Sequence, residues 1–161
     1  GSTKYLNSNR ANNADPQNSN HNAVYVTGLD TLDITSVVMA GGVNQAGANN
    51  LGYSAIYPNT FLRNRSASPE SPAGGGQGQV GLFGTSRNNS ANYEYFINGL
   101  TGTFTQTSQT PDSGDVLIFS RLDGAATDAR LAFYSIGESL DLDALDTRVS
   151  NLITAIGAAI P

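Results

Sequence analysis

Short alternating or continuous apolar runs recur along most of the chain, separated by clusters of Gly, Pro, Asn, Asp and Ser. This rhythm is typical of the short strands of an antiparallel β-sandwich or barrel. We therefore expect an all-β fold with strands at 23–27, 36–40, 51–57, 60–64, 80–86, 93–97, 101–107, 116–121 and 130–136.

The most specific local signal is Asn98-Gly99, which is flanked by strand-forming residues from Tyr93 to Phe104. Both central positions of a type I′ turn need a positive φ, and Asn and Gly adopt it most easily. The sequence therefore predicts a tight β-hairpin here.

Two segments carry too few apolar residues, or too many turn residues, to be central strands. Residues 7–22 read NSNRANNADPQNSNHN and are predicted to be irregular, with His21, the single histidine, as a surface turn residue. Residues 66–79 contain two prolines and a glycine run, which predicts a mobile surface loop.

Near the end of the chain the apolar residues recur at helical spacing instead of strand spacing, so residues 142–156 are predicted to form an amphipathic helix. Asp141 is the predicted N-cap, and Gly157 the predicted stop. Two partners remain open for the apolar stripe: an end or edge of the sandwich, or the same helix of another subunit. The stripe consists of Leu142, Leu145, Val149, Leu152, Ile153 and Ile156.

Composition narrows the classes of function. Charged residues make up 13% of the 161, and the net charge of −5 disfavours a nucleic-acid partner. The chain has no cysteine, which excludes disulfides and cysteine zinc sites. No apolar run approaches the roughly 18 residues of a membrane span, so we expect no membrane insertion. Residues 1–2 read as a cloning scar, and residues 3–161 as one domain.

The last third, from Asp115 to Pro161, has an apolar strand, an Asp-Gly turn and a second strand ending in FYSIG. The segment Ser139-Leu140-Asp141 then leads into the amphipathic helix. This segment resembles the C-terminal signature of laminin-G-like domains of the concanavalin A-like superfamily, and more closely those in structural proteins of tailed bacteriophages. Residues 3–26 and the segment GLFGTSR from Gly81, followed by Ser90-Ala91, are similar to the same group.

This resemblance implies a two-sheet antiparallel jelly-roll sandwich with a short C-terminal helix, displayed on a virion. It does not imply one role within the virion, and among the possible roles we expect a non-enzymatic fibre or appendage module that attaches to a host-surface glycan. A structural role in capsid or tail decoration and assembly is the alternative, with other virion proteins as partners. Laminin-G-like domains usually begin with a strand before the segment matching residues 3–5, so we expect an edge that another segment or subunit completes. We also expect a homo-oligomer, with a trimer as one arrangement.

Sugars are held by aromatic faces together with polar side chains. For each Tyr or Phe side chain, the competing interpretation is that the ring packs in the core or on a sheet face and binds no sugar. Arg63, Arg65 and Arg87 either form a small basic patch for an acidic glycan or lie at solvated strand ends. The candidate ligand-binding residues are Tyr53, Tyr57, Phe61, Arg63, Arg87, Tyr93 and Tyr95.

Calcium is the one cofactor that the resemblance suggests, held by Asp112 and Asp115 or by Asp123 and Asp128. The same Asp and Gly residues also suit β-turns without a metal. A second alternative function is a tail-spike hydrolase, since glucanases share this fold. Glycoside hydrolysis needs a pair of carboxyl groups, and no glutamate here has an acidic residue two positions away. Glu94 is the only candidate acid, so we expect no enzymatic activity.

Overall fold

Two antiparallel five-stranded sheets face each other, and one helix follows them. The computed structural model describes residues 4–29, 36–54, 59–73 and 80–160. The elements are β1 (Leu6–Ala11), β2 (Asn20–Gly28), β3 (Ser36–Gly41), β4 (Asn49–Ser54), β5 (Asn59–Asn64), β6 (Gly81–Arg87), β7 (Tyr93–Ile97), β8 (Leu100–Phe104), β9 (Asp115–Ile118), β10 (Arg130–Gly137) and α1 (Leu142–Ala159).

The strand order is β1-β9-β3-β4-β5 in the first sheet and β10-β2-β6-β7-β8 in the second. Alternation along each strand sends one set of side chains into the space between the sheets. Tyr53 of the first sheet stacks there on Phe83 of the second, with ring centroids 5.1 Å apart. The predicted two-sheet β-sandwich with a C-terminal helix is confirmed.

The Asn98-Gly99 hairpin is also confirmed. Both residues have positive φ angles, 46° and 86°, and Ile97 pairs directly with Leu100. A type I′ turn matches the right-handed twist of its two strands, so β7 and β8 leave the turn in register.

The interior of the sandwich changes character along the strands. At one end, which we call the polar end, Asn20 pairs with Arg87 and Asn49 pairs with Asn64. The Asn64 amide reaches across to the second sheet and donates to Thr85 Oγ1 at 3.2 Å. Farther along the same strands the inward residues are apolar, and they form the main core.

The first strand was not predicted, because β1 lies in the Asn-rich segment expected to be irregular. Hydrogen bonds from polar side chains, rather than buried apolar side chains, help to hold β1 to β9. Asn7 Nδ2 donates to Asp115 Oδ2 at 2.9 Å, and Ser8 Oγ donates to the carbonyl of Val116 at 2.7 Å. Asn9 has a φ of 54°, and the register shifts between residues 7 and 11. The strand is therefore bulged, which suits the edge of a sheet.

Several predicted boundaries move by a few residues. The strand predicted at 101–107 ends at Phe104, and the one predicted at 116–121 ends at Ile118. Residues 55–57 of another predicted strand, and residues 74–79 of the predicted loop, lie outside the described residues. The described part of that loop is irregular, apart from two isolated bridges, Ser66 with Ser108 and Glu70 with Leu62.

The helix begins where the sequence predicts, and Asp141 Oδ1 accepts the backbone N–H of Ala144 at 3.0 Å. Gly157 does not stop it: α1 continues to Ala159. Leu142 packs on Leu82 and Phe96 of the second sheet. The first half of the stripe thus covers the sandwich. No helix in the described part of the chain is long and apolar enough to cross a membrane.

Candidate functional site

A groove of about 500 Å³ opens where the edge of the first sheet meets the segment leading into β10. We call it the edge groove. It lies at the end of the sandwich opposite the polar end. The pair Leu6–Ile118 lies beside the groove, and the pair Ala11–Asp115 lies at the other end of the same β1–β9 ladder, toward the polar end. Its lining residues are Lys4, Tyr5, Leu6, Phe119, Thr127, Asp128 and Ala129.

Strand register brings the two aromatic residues of the groove, Tyr5 and Phe119, to neighbouring positions. Since Leu6 pairs with Ile118 in an antiparallel ladder, Tyr5 comes opposite Phe119. Phe119 has a φ of 71°, which is rare for a bulky residue. Its N–H donates to the Val38 carbonyl at 2.9 Å, and its own carbonyl accepts from Thr127 N at 3.1 Å. Two backbone hydrogen bonds thus hold a strained residue in the wall of the groove.

The groove combines an exposed ring with two opposite charges. Tyr5 is 59% exposed, so its ring is open to a ligand. Lys4 and Asp128 take no part in the two ion pairs of the described chain, which join Arg10 to Asp15 and Arg121 to Asp123. Ring, ammonium and carboxylate are therefore all available to one bound molecule.

Sequence reasoning did not identify Lys4, Tyr5 or Phe119, and it named Asp128 only as a calcium ligand. Tyr5 and Phe119 are far apart in sequence, and only the pairing of β1 with β9 brings them together. The available signal was local: Tyr5-Leu6 is an apolar pair directly before a long polar segment.

Tyr53 and Tyr93 belong to the core and cannot contact a ligand. Tyr53 is fully buried, and burial raises the pKa of its phenol. Tyr93 is 1% exposed and donates to the Leu62 carbonyl at 3.1 Å; burial raises its pKa as well. For these two rings the competing interpretation, core packing, is the correct one.

The other aromatic candidates have different surroundings. Tyr95 is half-buried and stacks on Phe104 with centroids 4.6 Å apart. Phe61 is also half-buried, and its ring occupies the space beside Gly52. Tyr57 lies outside the described residues.

The three arginines are neither a basic patch nor solvated strand ends, so both interpretations were wrong. Arg63, Arg65 and Arg87 are 4%, 1% and 0% exposed. All three donate to backbone carbonyls: Arg63 to Gln45, Arg65 to Asn12, Asp15 and Pro16, and Arg87 to Asn64, Asn89, Asn92 and Gln106. Burial lowers the pKa of each guanidinium, that of Arg65 to about 10. These side chains anchor loops.

Three of the four candidate calcium ligands, Asp112, Asp115 and Asp123, serve as turn or strand residues. Asp112 Oδ1 accepts Gly114 N at 2.7 Å, and Asp115 accepts from Asn7. Asp123 pairs with Arg121 at 2.7 Å, which lowers the pKa of its carboxyl. Asp128 lies in the edge groove. Among the described residues, no three His, Cys, Asp or Glu side chains come together as a metal site. The β-turn interpretation therefore fits Asp112 and Asp123, whereas Asp115 is a strand residue.

His21 is a buried strand residue, 5% exposed, and not a surface turn residue as predicted. Its Nδ1 lies 2.6 Å from the Glu138 carbonyl, which can only accept, so Nδ1 carries the proton. Nε2 then accepts from Ser135 Oγ at 2.7 Å. Burial lowers the imidazole pKa, and the ring joins β2 to the segment between β10 and α1. Both ring nitrogens are occupied by these structural contacts.

A second, smaller cleft of about 270 Å³ lies between the β7–β8 hairpin and the start of α1. Its lining residues are Glu94, Tyr95, Phe96, Thr101, Gly102, Thr103, Asp141, Leu142 and Asp143. Glu94 therefore lies in a different site from the edge groove.

Comparison with models of known protein families finds no match for the chain. Comparison with curated protein sequences finds none either. A functional proposal consequently depends on the geometry of the site and on the resemblance of residues 3–26, 81–91 and 115–161 to laminin-G-like domains.

Proposed function

We propose that the chain is a non-enzymatic module of a tailed-phage virion that attaches to a host-surface glycan through the edge groove. The virion assignment comes from the resemblance of residues 3–26, 81–91 and 115–161 to laminin-G-like phage domains. The observation that supports glycan binding is the exposed Tyr5 ring in a groove with Lys4 and Asp128, neither of which forms an ion pair with another described residue. On this proposal the module is displayed on the particle surface.

The groove suits a sugar in both shape and chemistry. A pyranose presents a C–H face that packs on an aromatic ring, and hydroxyls that need hydrogen-bond donors and acceptors. Tyr5 offers the ring, Asp128 accepts from hydroxyls, and Lys4 donates to ring or hydroxyl oxygens. A volume of about 500 Å³ lies within the usual range of small-ligand sites.

Binding fits the groove better than hydrolysis does. Retaining and inverting glycosidases both use two carboxyl groups flanking the scissile bond. Asp128 is the only carboxylate among the residues that line the groove. The hydrolase alternative therefore has to use the hairpin cleft, where Glu94 lies with Asp141 and Asp143. It predicts reducing-end release from a host polysaccharide that is lost in Glu94→Gln.

The direct test is a bacterial glycan array, followed by titration calorimetry with any glycan that binds. Tyr5→Ala and Asp128→Asn should each weaken binding by at least about tenfold, a loss of roughly 1.4 kcal/mol. Tyr134→Ala is the matched control, because Tyr134 is 41% exposed but does not line the groove.

Retained affinity in Tyr5→Ala, with loss in Tyr134→Ala, would move the site away from the groove. No binding across the array would remove the attachment role and favour the structural alternative, decoration or assembly of the virion. All three residues are at the surface, so the variants should unfold at the wild-type temperature, and a lowered melting temperature would invalidate the comparison.

A further inference from the structure

A small void lies inside the sandwich, where the polar end meets the main core. We call it the internal void. Residues of both sheets and of the segment after β1 surround it, and it is too small for any molecule larger than water. Most of its lining residues are polar, among them Asn22, Asn49 and Arg65. These three side chains are all deeply buried, with exposed fractions of 1%, 3% and 1%.

The amide of Asn22 has no hydrogen-bond partner among the described residues, at either its nitrogen or its oxygen. Its backbone is fixed on both sides, because Asn22 pairs with Thr85 of β6 and with Ile136 of β10. Its side chain points to the same side of the sheet as that of Val24, which belongs to the main core. The strand pairing therefore prevents the amide from turning toward solvent.

The other two residues each have one atom without a partner in the described part of the chain. Asn49 Oδ1 accepts no hydrogen bond, although Asn49 Nδ2 donates to Asn12 Oδ1 at 2.6 Å. Arg65 Nε donates to no acceptor, although both terminal nitrogens of the guanidinium donate to loop carbonyls. Leaving a buried polar atom without a partner costs free energy, and native proteins satisfy nearly all such atoms with protein groups or internal water.

We propose that the internal void binds a water molecule that joins the two sheets. The water accepts from Arg65 Nε and donates to Asn22 Oδ1 and Asn49 Oδ1, and about three hydrogen bonds are typical of an internal water. Asn22 belongs to β2 and Asn49 to β4, so the water connects the second sheet to the first. The inference is independent of the glycan-binding proposal.

The mixture of donors and acceptors favours water over an ion. A cation cannot accept from Arg65 Nε, and it would lie beside the positive charge of the guanidinium. An anion cannot donate to the two asparagine oxygens, and it would share the void with the carboxylate of Asp15, another lining residue. Water can donate and accept at the same time and carries no net charge.

A high-resolution crystal structure of the full chain is the direct test. It should show a well-ordered peak about 3 Å from polar atoms of both Asn22 and Asn49. Asn22→Leu removes the amide and fills part of the void, so the peak should be lost. In solution, magnetic relaxation dispersion of the water signal should count at least one long-lived internal water fewer in Asn22→Leu than in the wild type. The matched control, Asn88→Leu, changes an exposed asparagine and should keep the wild-type count.

A wild-type crystal structure without density between Asn22 and Asn49 overturns the proposal, whether or not Asn22→Leu folds. A peak contacted only by oxygen atoms, at the shorter distances of a bound cation, overturns it as well. Circular dichroism shows whether Asn22→Leu keeps the native fold. An unchanged count of long-lived waters in the folded variant also contradicts the proposal.

Discussion

Replacing Arg87 tests whether buried guanidinium groups hold the loops at the polar end of the sandwich. The side chain is 0% exposed and makes five hydrogen bonds to four backbone carbonyls, those of Asn64, Asn89, Asn92 and Gln106. Its guanidinium also lies 5.2 Å from the centre of the Tyr93 ring. Arg87→Met keeps much of the volume and removes every donor.

The size of the effect follows from those contacts. Hydrogen bonds to charged groups contribute about 1.5–3 kcal/mol each, so five would sum to roughly 7–15 kcal/mol. Two effects reduce this sum. The wild type already bears the cost of desolvating the cation, and water can reach the loop carbonyls once the guanidinium is gone. We expect a loss of about 3–5 kcal/mol, near the upper limit for single substitutions.

Urea unfolding followed by circular dichroism measures this loss. Arg148→Met on the exposed face of α1 is the matched control, and it should leave the unfolding free energy unchanged. Arg87→Lys should fall between wild type and Arg87→Met, because an ammonium cannot donate to four carbonyls in the directions of a planar fork. A loss below about 1 kcal/mol in Arg87→Met would refute the reasoning, since ordinary surface substitutions approach that size.

Two further predictions concern single contacts. The folded-state pKa of His21 lies below its ordinary value of 6.5 because the ring is buried. The unfolded chain therefore binds the proton first, and stability should fall as pH drops below about 6.5. Urea midpoints between about pH 7.5 and 5 should show this slope in the wild type and a smaller slope in His21→Gln; equal slopes would contradict it. Asp141→Ala should cost about 1 kcal/mol through loss of the helix cap, while Asp141→Asn, which still accepts the Ala144 N–H, should cost much less in the same assay.

Local signals were sufficient for much of the fold. The Asn98-Gly99 turn, the Asp141 cap and the apolar strands each depend on residues close in sequence, and the structure has all of them. Gly157 failed as a stop signal for a local reason as well: a helical glycine costs only about 1 kcal/mol, and the alanines that follow it favour helix.

Long-range polar contacts account for what could not be predicted. His21 looked like a turn residue because its neighbours are polar, yet its partner carbonyl at Glu138 lies 117 residues away. Arg65 reaches the carbonyls of Asn12 and Asp15 from about 50 positions along the chain. Polarity in a sequence normally indicates solvent exposure. Here these buried polar side chains bond to backbone carbonyls far away in sequence, and the pattern of hydrophobic and polar residues does not reveal such contacts.

The two ends of the sandwich should therefore respond independently to mutation. The arginine contacts lie at the polar end, where Asn20 pairs with Arg87, and the edge groove lies beside the Leu6–Ile118 pair at the other end. Apolar core residues such as Val24 and Phe83 fill the space between them. Substitutions without shared partners usually have additive effects. Arg87→Met should consequently lower stability without changing the affinity of the folded fraction for a ligand in the groove, whereas Tyr5→Ala should lower affinity without changing stability. If both variants lowered both quantities, the groove would depend on the arginine-anchored loops, and the separation of scaffold and site proposed here would be wrong.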